Sequence, residues 1–418
     1  LSGGGRAWWY LSSPLAAASS SIFGSDKVGK HVEDYESDGN PATTAPYYSS
    51  PFSTPETLTP GYGYILKRTS PADNATYTFT GSALNSGTIS PTVTCTGTTA
   101  GARGFNLVGN PYPSYIDWDA VYADATHLRN ALWFRTYSGG QMVFHTYGDG
   151  DAVPEITSST IAPMQAFWVK VDADGNTGTL TFKNTHRSHF TSGANPLKVT
   201  ANDNRQRIRL VISNGTANDE TLLVGKSYAQ DNRDNYDIEK MSNENSEIPE
   251  IFSIVGNEEL VINAMQAINE GKTFSLGIRP GQAGSYTIKA TQLENISGHV
   301  VLVDRLTGTE TELTESSSYS FNSDGTATND RFSVEVRAPG ALTSTETTSI
   351  KKLRIDRLNN CILIRGTKAG EQVGIFNTMG QLLQSFTASG DRTELQHNFS
   401  PGIYLIKANQ QSGKFTLK

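Results

Sequence analysis

Phe332-Ser333-Val334-Glu335-Val336 carries an apolar side chain at every second position, with a hydroxyl and a carboxylate between them. Successive side chains of an extended chain point to opposite faces, so this spelling buries one face and wets the other. The same period recurs outward from it, at Tyr286-Thr287-Ile288-Lys289, Ile208-Arg209-Leu210-Val211-Ile212, Leu180-Thr181-Phe182 and Tyr77-Thr78-Phe79. Turn clusters separate these runs: Ser323-Asp324-Gly325, Ser213-Asn214-Gly215 and Asp174-Gly175-Asn176. Helical periodicity is scarce, with short candidates only at Asp119 to Leu128 and Val261 to Glu270. The reading is an all-β chain of several domains, β-sandwiches or jelly-rolls.

Composition agrees and excludes several classes of function. Charged residues make up 18 % of the 418 residues and apolar ones 36 %, with 39 Gly and 17 Pro filling the gap. The net charge of −7 gives no basic footprint for nucleic acid, so no nucleic-acid partner is expected. No run of about 18 apolar residues occurs, so no transmembrane helix is expected. The chain opens Leu1-Ser2-Gly3-Gly4-Gly5, without Met or a signal pattern, which reads as a processed or longer protein. Cys95 and Cys361 fall in different expected domains, so no disulfide joins them in this reading, and two cysteines cannot build a structural zinc site.

The first part repeats itself. Arg6-Ala7-Trp8-Trp9-Tyr10-Leu11-Ser12-Ser13-Pro14 aligns with Arg103-Gly104-Phe105-Asn106-Leu107-Val108-Gly109-Asn110-Pro111, an offset of 97. Pro60-Gly61-Tyr62-Gly63-Tyr64-Ile65-Leu66-Lys67 aligns with Pro163-Met164-Gln165-Ala166-Phe167-Trp168-Val169-Lys170, an offset of 103. A six-residue insertion in the second copy accounts for the difference. A period near 100 is too long for a solenoid and fits two domains or two related halves of one. The expected organisation is copy one at 1–98, copy two at 99–192, a β-sandwich at 193–338, a linker at 339–349 and a compact unit at 350–418. From Ile350 onward ten Lys and Arg stand against four Asp and Glu, a net of +6, which leaves −13 for the remainder. A basic tail on an acidic body suggests a separate role for the tail.

That tail reads Ile362-Leu363-Ile364, Val373-Gly374-Ile375-Phe376-Asn377-Thr378-Met379-Gly380, Leu382-Leu383, Pro401-Gly402-Ile403-Tyr404-Leu405-Ile406-Lys407 and Phe415-Thr416-Leu417-Lys418. Met379-Gly380 supplies a hairpin turn and Pro401-Gly402 opens an alternating strand. The ordered set resembles the C-terminal sorting domain of proteins exported by the type IX (Por) secretion system of Bacteroidetes. The matching residues are Asn377, Gly380, Pro401, Gly402, Tyr404, Lys407 and the terminal Lys418. The resemblance implies a small immunoglobulin-like sandwich of about seven strands, export to the outer-membrane surface or beyond, and the type IX machinery as partner. Three body segments, Gly104 to Trp118, Ile161 to Val169 and the strand start Asp330-Arg331-Phe332, resemble phrases of large secreted Bacteroidetes proteins, whose roles are inferred as adhesion or attachment.

Few residues carry a pattern that points to chemistry. No Gly-x-Ser-x-Gly elbow, His-Glu-x-x-His pair, Walker loop or dinucleotide fingerprint is present. His186 and His189 flank Arg187 and read as a solvated loop rather than a metal pair. Asp172, Asp174 and Asn176 around Gly175 spell half of a calcium loop, but Lys183 stands where the closing acid belongs. Tyr147-Gly148-Asp149-Gly150-Asp151 has a similar flavour. Asp117 and Asp119 could form a carboxylate pair, though an Asp before a short helix more simply caps it. Trp8, Trp9, Trp118, Trp133 and Trp168 could stack on sugars, though large aromatics more simply anchor cores. The expectation is therefore a non-catalytic surface or secreted protein, acting in adhesion or envelope attachment, with no catalytic residues, cofactor or metal. The alternatives are a carbohydrate-binding module or the accessory tail of a larger surface hydrolase, with a host or glycan ligand.

Overall fold

The computed structural model describes residues 8–31, 33, 52–69, 75–81, 83–96, 103–138, 141–155, 159–172, 177–189, 204–243, 245–338, 353–358, 361–367, 369–390, 392–396, 399–408 and 411–417. Among these, strands take 54 % and helices 4 %, far below the helix content of an average domain, so the fold is all-β.

The repeat is visible in the strand registers. Trp8–Leu11 pairs antiparallel with Tyr64–Lys67, and Trp8 faces Lys67. Phe105–Gly109 pairs with Ala166–Lys170, and Phe105 faces Lys170. The offsets of 97 and 103 carry the first pairing onto the second, residue for residue. In each ladder the Lys ammonium lies 4.7 Å over the facing aromatic ring. The next short ladders stand in the same place with one strand shifted by a residue: Ser19 faces Thr57, and Asp117, at an offset of 98 rather than 97, faces Thr160. Ser19 then caps the 3-10 turn Ser20–Phe23, as Asp117 caps the helix Trp118–Ala123.

The copies also exchange contacts. Leu11 bridges Gln165 and Tyr62 bridges Val108, positions equivalent under the same two offsets. The Ser12 amide donates to the Met164 carbonyl at 2.8 Å, and the Gly109 amide to the Gly61 carbonyl at 3.0 Å. Met164 and Gly61 both adopt positive φ, 60° and 83°. At this crossing the backbones are so close that a Cβ on Gly109 would sit 2.4 Å from the Ser12 Cβ.

Two alternating runs of the repeat join no ladder. Tyr77 and Phe79 pack edge-on against Phe23, at 5.1 and 6.2 Å between centroids, in extended chain outside any strand. Leu180 and Phe182 are fully buried, and Phe182 makes only an isolated bridge to Ile89. Alternation here reflects one-sided packing over a core without a partner strand.

Residues 206–337 form one 11-stranded sheet. From one edge its order is Thr309–Glu312, His299–Asp304, Thr328–Arg337, Thr273–Arg279, Glu250–Val255, Glu258–Met265, Asn218–Gly225, Gln206–Ser213, Ala283–Glu294 and Ser318–Asp324, with Ile238–Glu239 pairing onto Glu258–Met265. The sheet curls until its far parts touch. Phe321 meets Phe332 at 4.8 Å, and the Tyr319 hydroxyl donates to Asp304 at 2.8 Å. The enclosed core includes Ile208, Leu210, Leu276, Ile288, Leu302 and Val334.

The helix predicted over Val261 to Glu270 does not form: Val261 to Met265 belong to the strand Glu258–Met265, which runs parallel to Asn218–Gly225. Val261, Ile262 and Ala264 pack against the repeat, while Met265 joins the enclosed core. A strand buried on both faces reads as a continuous apolar run, which periodicity alone cannot separate from a buried helix.

The repeat and the curled sheet share a core. Trp133 and Trp168, 0 % and 1 % exposed, cluster with Leu222, Val224, Ile238 and Ile262. Two carboxylates, Glu239 largely buried and Asp151 fully so, reinforce the junction. Glu239 accepts from Arg129 at 2.7 Å, Lys170 at 2.8 Å and Arg233 at 2.5 Å. Asp151 accepts from Arg205, Arg207 and Lys226, each at 2.9 Å. These cations hold both carboxyls below the ordinary range against the opposing effect of burial.

The tail is a separate small sandwich. Arg354–Leu358, Cys361–Arg365 and Arg392–Gln396 form one sheet; Leu382–Thr387, Gln372–Asn377, Gly402–Ala408 and Gln411–Leu417 form the other. Its core comes from both sheets, with Ile362 and Ile364 against Val373, Ile375 and Ile406, all within 1 % exposure. The expected linker at 339–349 lies outside the described residues, as does Lys418.

Candidate functional site

The tail motif has a clear local physics. Asn377 ends its strand, and its side-chain oxygen accepts from the amides of Met379 and Gln381, both at 3.0 Å. The Gly380 amide donates back to the Asn377 carbonyl at 3.0 Å, with Gly380 at φ 80°. Asn therefore closes the turn with its side chain, and Gly supplies the left-handed residue that the turn requires. After Pro401, Gly402 opens the strand Gly402–Ala408. Tyr404 points inward, stacks between Phe399 at 5.2 Å and Phe415 at 5.5 Å, and donates its hydroxyl to the Ser400 carbonyl at 2.6 Å. Lys407 is exposed and faces Ser412 across the ladder.

The opposite face of that sheet is apolar and uncovered by the described residues. Ile403 and Leu405 are 42 % and 40 % exposed, Leu382 is 56 % exposed, and Phe376 pairs with both Leu382 and Leu405. Met379, at the hairpin tip, is 78 % exposed. Exposed Lys407 and Lys414 stand beside this row. Exposed large apolar side chains gathered on one face mark an interaction surface.

The other sequence candidates are spent on structure. Asp117 caps the helix Trp118–Ala123, accepting from the Asp119 amide at 3.1 Å. Asp119, its carboxyl pushed up by burial, accepts from the Tyr147 hydroxyl at 2.8 Å. His186 is not in a solvated loop: it is 4 % exposed, its Nδ1 accepts from the Lys183 amide at 3.3 Å, and its Nε2 therefore donates to Asp124 at 2.9 Å. His189 stands beyond the short strand Arg187–Ser188. Asp172 lies 3.9 Å from the His127 Nδ1; Asp174 and Asn176 are outside the described residues. Asp149 and Asp151 hold Lys226, at 2.8 and 2.9 Å. Trp118, Trp133 and Trp168 are core anchors. Among the described residues, no three His, Cys, Asp or Glu are grouped to hold a metal ion.

The structure adds a site that the sequence did not announce. A cleft of about 440 Å³ opens where the strands Gln141–Gly148 and Asp151–Val153 of the second copy meet the curled sheet. His145 in its wall is buried, stacks on Phe134 at 5.2 Å, and pairs with the Thr136 hydroxyl at 2.8 Å. Burial pushes its imidazole down to about 4, so it is neutral at pH 7. Arg209 donates to Gln292 at 2.9 Å and to Glu220 at 3.1 Å. Burial pushes the Glu220 carboxyl up, with Arg209 opposing it. Asp219 takes Lys240 at 2.7 Å and the Ile251 amide at 2.9 Å. The one signal available in the sequence was Arg209 itself, a charge inside the otherwise apolar run Ile208 to Ile212.

An all-β body in which a duplicated unit leans on a curled sheet, with a small sandwich behind it, is the class that this architecture defines. A family model described as a domain of unknown function (DUF8693) matches residues 5–336, and the chain belongs to that family. No curated protein matches the chain. The matched region takes in both copies and the curled sheet and ends before the tail.

Proposed function

We propose that the protein is a non-catalytic, exported surface or secreted protein, in which residues 350–418 form the sorting module and residues 8–338 the attachment body. One observation carries the reading. The tail encloses its own core, built wholly from residues 353–417, and lies outside the family match that covers the body. A signal read by export machinery must be recognisable apart from its cargo, and a self-contained sandwich with an exposed apolar face beside lysines provides that. The type IX machinery is the partner that the resemblance of Asn377, Gly380, Pro401, Gly402, Tyr404 and Lys407 suggests. Support for a non-catalytic body comes from Asp117, Asp119 and His186, whose polar atoms are engaged by capping, by Tyr147 and by Asp124.

Fusion of residues 339–418 to a periplasmic reporter, in a bacterium with a type IX system, tests the reading. The reporter is expected at the cell surface, accessible to added protease. Retention in the periplasm by a correctly folded fusion would overturn the sorting role.

A further inference from the structure

We propose that the cleft between the second repeat copy and the curled sheet is a binding site for a neutral saccharide. This goes beyond the export reading and stands without it, because it uses only residues of the body.

The volume, about 440 Å³, falls within the range of small-ligand sites, and the cleft sits at a junction of two structural units, where such sites concentrate. One part of its wall is apolar, formed by Phe144, Val153 and Met241. Another is polar but internally neutralised. Arg209 pairs with Glu220, and Lys240 with Asp219. His145 is uncharged, and Glu155 at the rim is exposed to water. A strongly charged ligand would therefore meet no buried countercharge that is not already matched.

Hydrogen-bonding capacity remains after this pairing. Asn243 lines the cleft, and its buried side-chain oxygen has no partner among the described residues. The second carboxylate oxygen of Glu220 and the second terminal nitrogen of Arg209 have no partner among the described residues. Acceptors and a donor thus stand together, beside an apolar surface. A phosphate offers chiefly acceptors and, as an anion, would be repelled by Glu220. An ammonium offers donors only and would be repelled by Arg209. Hydroxyl groups both donate and accept, and the C–H face of a sugar ring covers apolar surface. The pairing of Glu220 with Arg209 also fixes the side-chain geometry in advance, which reduces the ordering cost of binding.

The test uses the purified full chain and titration calorimetry. The probes are neutral hexasaccharides of glucose, xylose, mannose and galactose, with hexalysine and inorganic phosphate as contrasting ligands. At least one hexasaccharide is expected to bind with little dependence on salt. Glu220→Gln should weaken it at least tenfold. Thr216→Trp, which enlarges an exposed turn residue at the mouth, should do the same without touching the core. Failure of every hexasaccharide to bind would overturn the proposal. So would binding that survives both changes while the melting temperature is unaltered, or hexalysine or phosphate binding that those changes abolish. Release of reducing ends from a bound hexasaccharide would sustain the saccharide assignment and overturn the non-catalytic reading instead.

Discussion

Replacing Ile406 with Ala tests whether the tail stands alone. Ile406 is 0 % exposed, lies mid-strand in Gly402–Ala408, and faces Ile375 on one side and Gly413 on the other. The change removes three carbons, about 2.4 kcal/mol of transfer free energy at ~0.8 per methylene. The cavity left behind adds to this, and buried Ile→Ala changes cost roughly 2–5 kcal/mol in all. A core of this size supplies only about 3–5 kcal/mol of net stability. Ile406→Ala should therefore leave the tail largely unfolded while the body is untouched. Differential scanning calorimetry of the full chain is expected to show two transitions in the parent and only the body transition, at its original temperature, in the variant. A single transition in the parent, or a body transition that shifts with Ile406→Ala, would refute the claim of independence.

Three further outcomes follow from the body. Gly109→Ala forces a Cβ to within 2.4 Å of the Ser12 Cβ at the crossing of the copies, and should lower stability by about 1–3 kcal/mol or more in denaturant unfolding. Asp151→Ala leaves the buried Lys226 with Asp149 alone and should cost about 3 kcal/mol by the same assay. Asp237, 1 % exposed, has its carboxyl pushed up by burial from 3.8 to about 6. A raised carboxyl binds its proton more tightly in the folded state, so its contribution is present below about pH 4 and is lost as pH rises through 6. The span is at most about 3 kcal/mol, and Asp237→Asn should flatten the stability profile between pH 4 and 6 relative to the parent.

The strands with a wet face were legible in the sequence. Tyr286 to Lys289 and the tail hairpins alternate because one side meets water; Phe332 to Val336 also lies in a ladder, but there Ser333 is 0 % exposed and only Glu335 reaches water. The short helix was legible through its cap, Asp117, although it ends at Ala123 rather than Leu128. Illegible were the elements covered on both faces. Val261 to Met265 has no wet side to set a period, and Arg209, placed on the wet side by alternation, is 3 % exposed. Local spacing reports one neighbour at a time, and these residues acquire their second neighbour from a distant part of the chain. The cleft escaped for the same reason, since its walls come from both sides of the junction.

The exchange of contacts between the copies also bears on the order of assembly. Leu11 waits for Gln165, which lies beyond the whole of the first copy and most of the second. Contacts so distant in sequence close slowly, because the loop entropy is lost before the contact forms. A chain emerging from its N-terminus thus holds Trp8–Leu11 beside Tyr64–Lys67 with one side of that ladder incomplete until residues 164–168 arrive. A fragment ending near residue 98 would lack the partners of Leu11 and Ser12, leaving the edge strand Trp8–Leu11 more open to pairing with other chains. The shortest stretch that closes the exchange between the copies extends at least through Gln165.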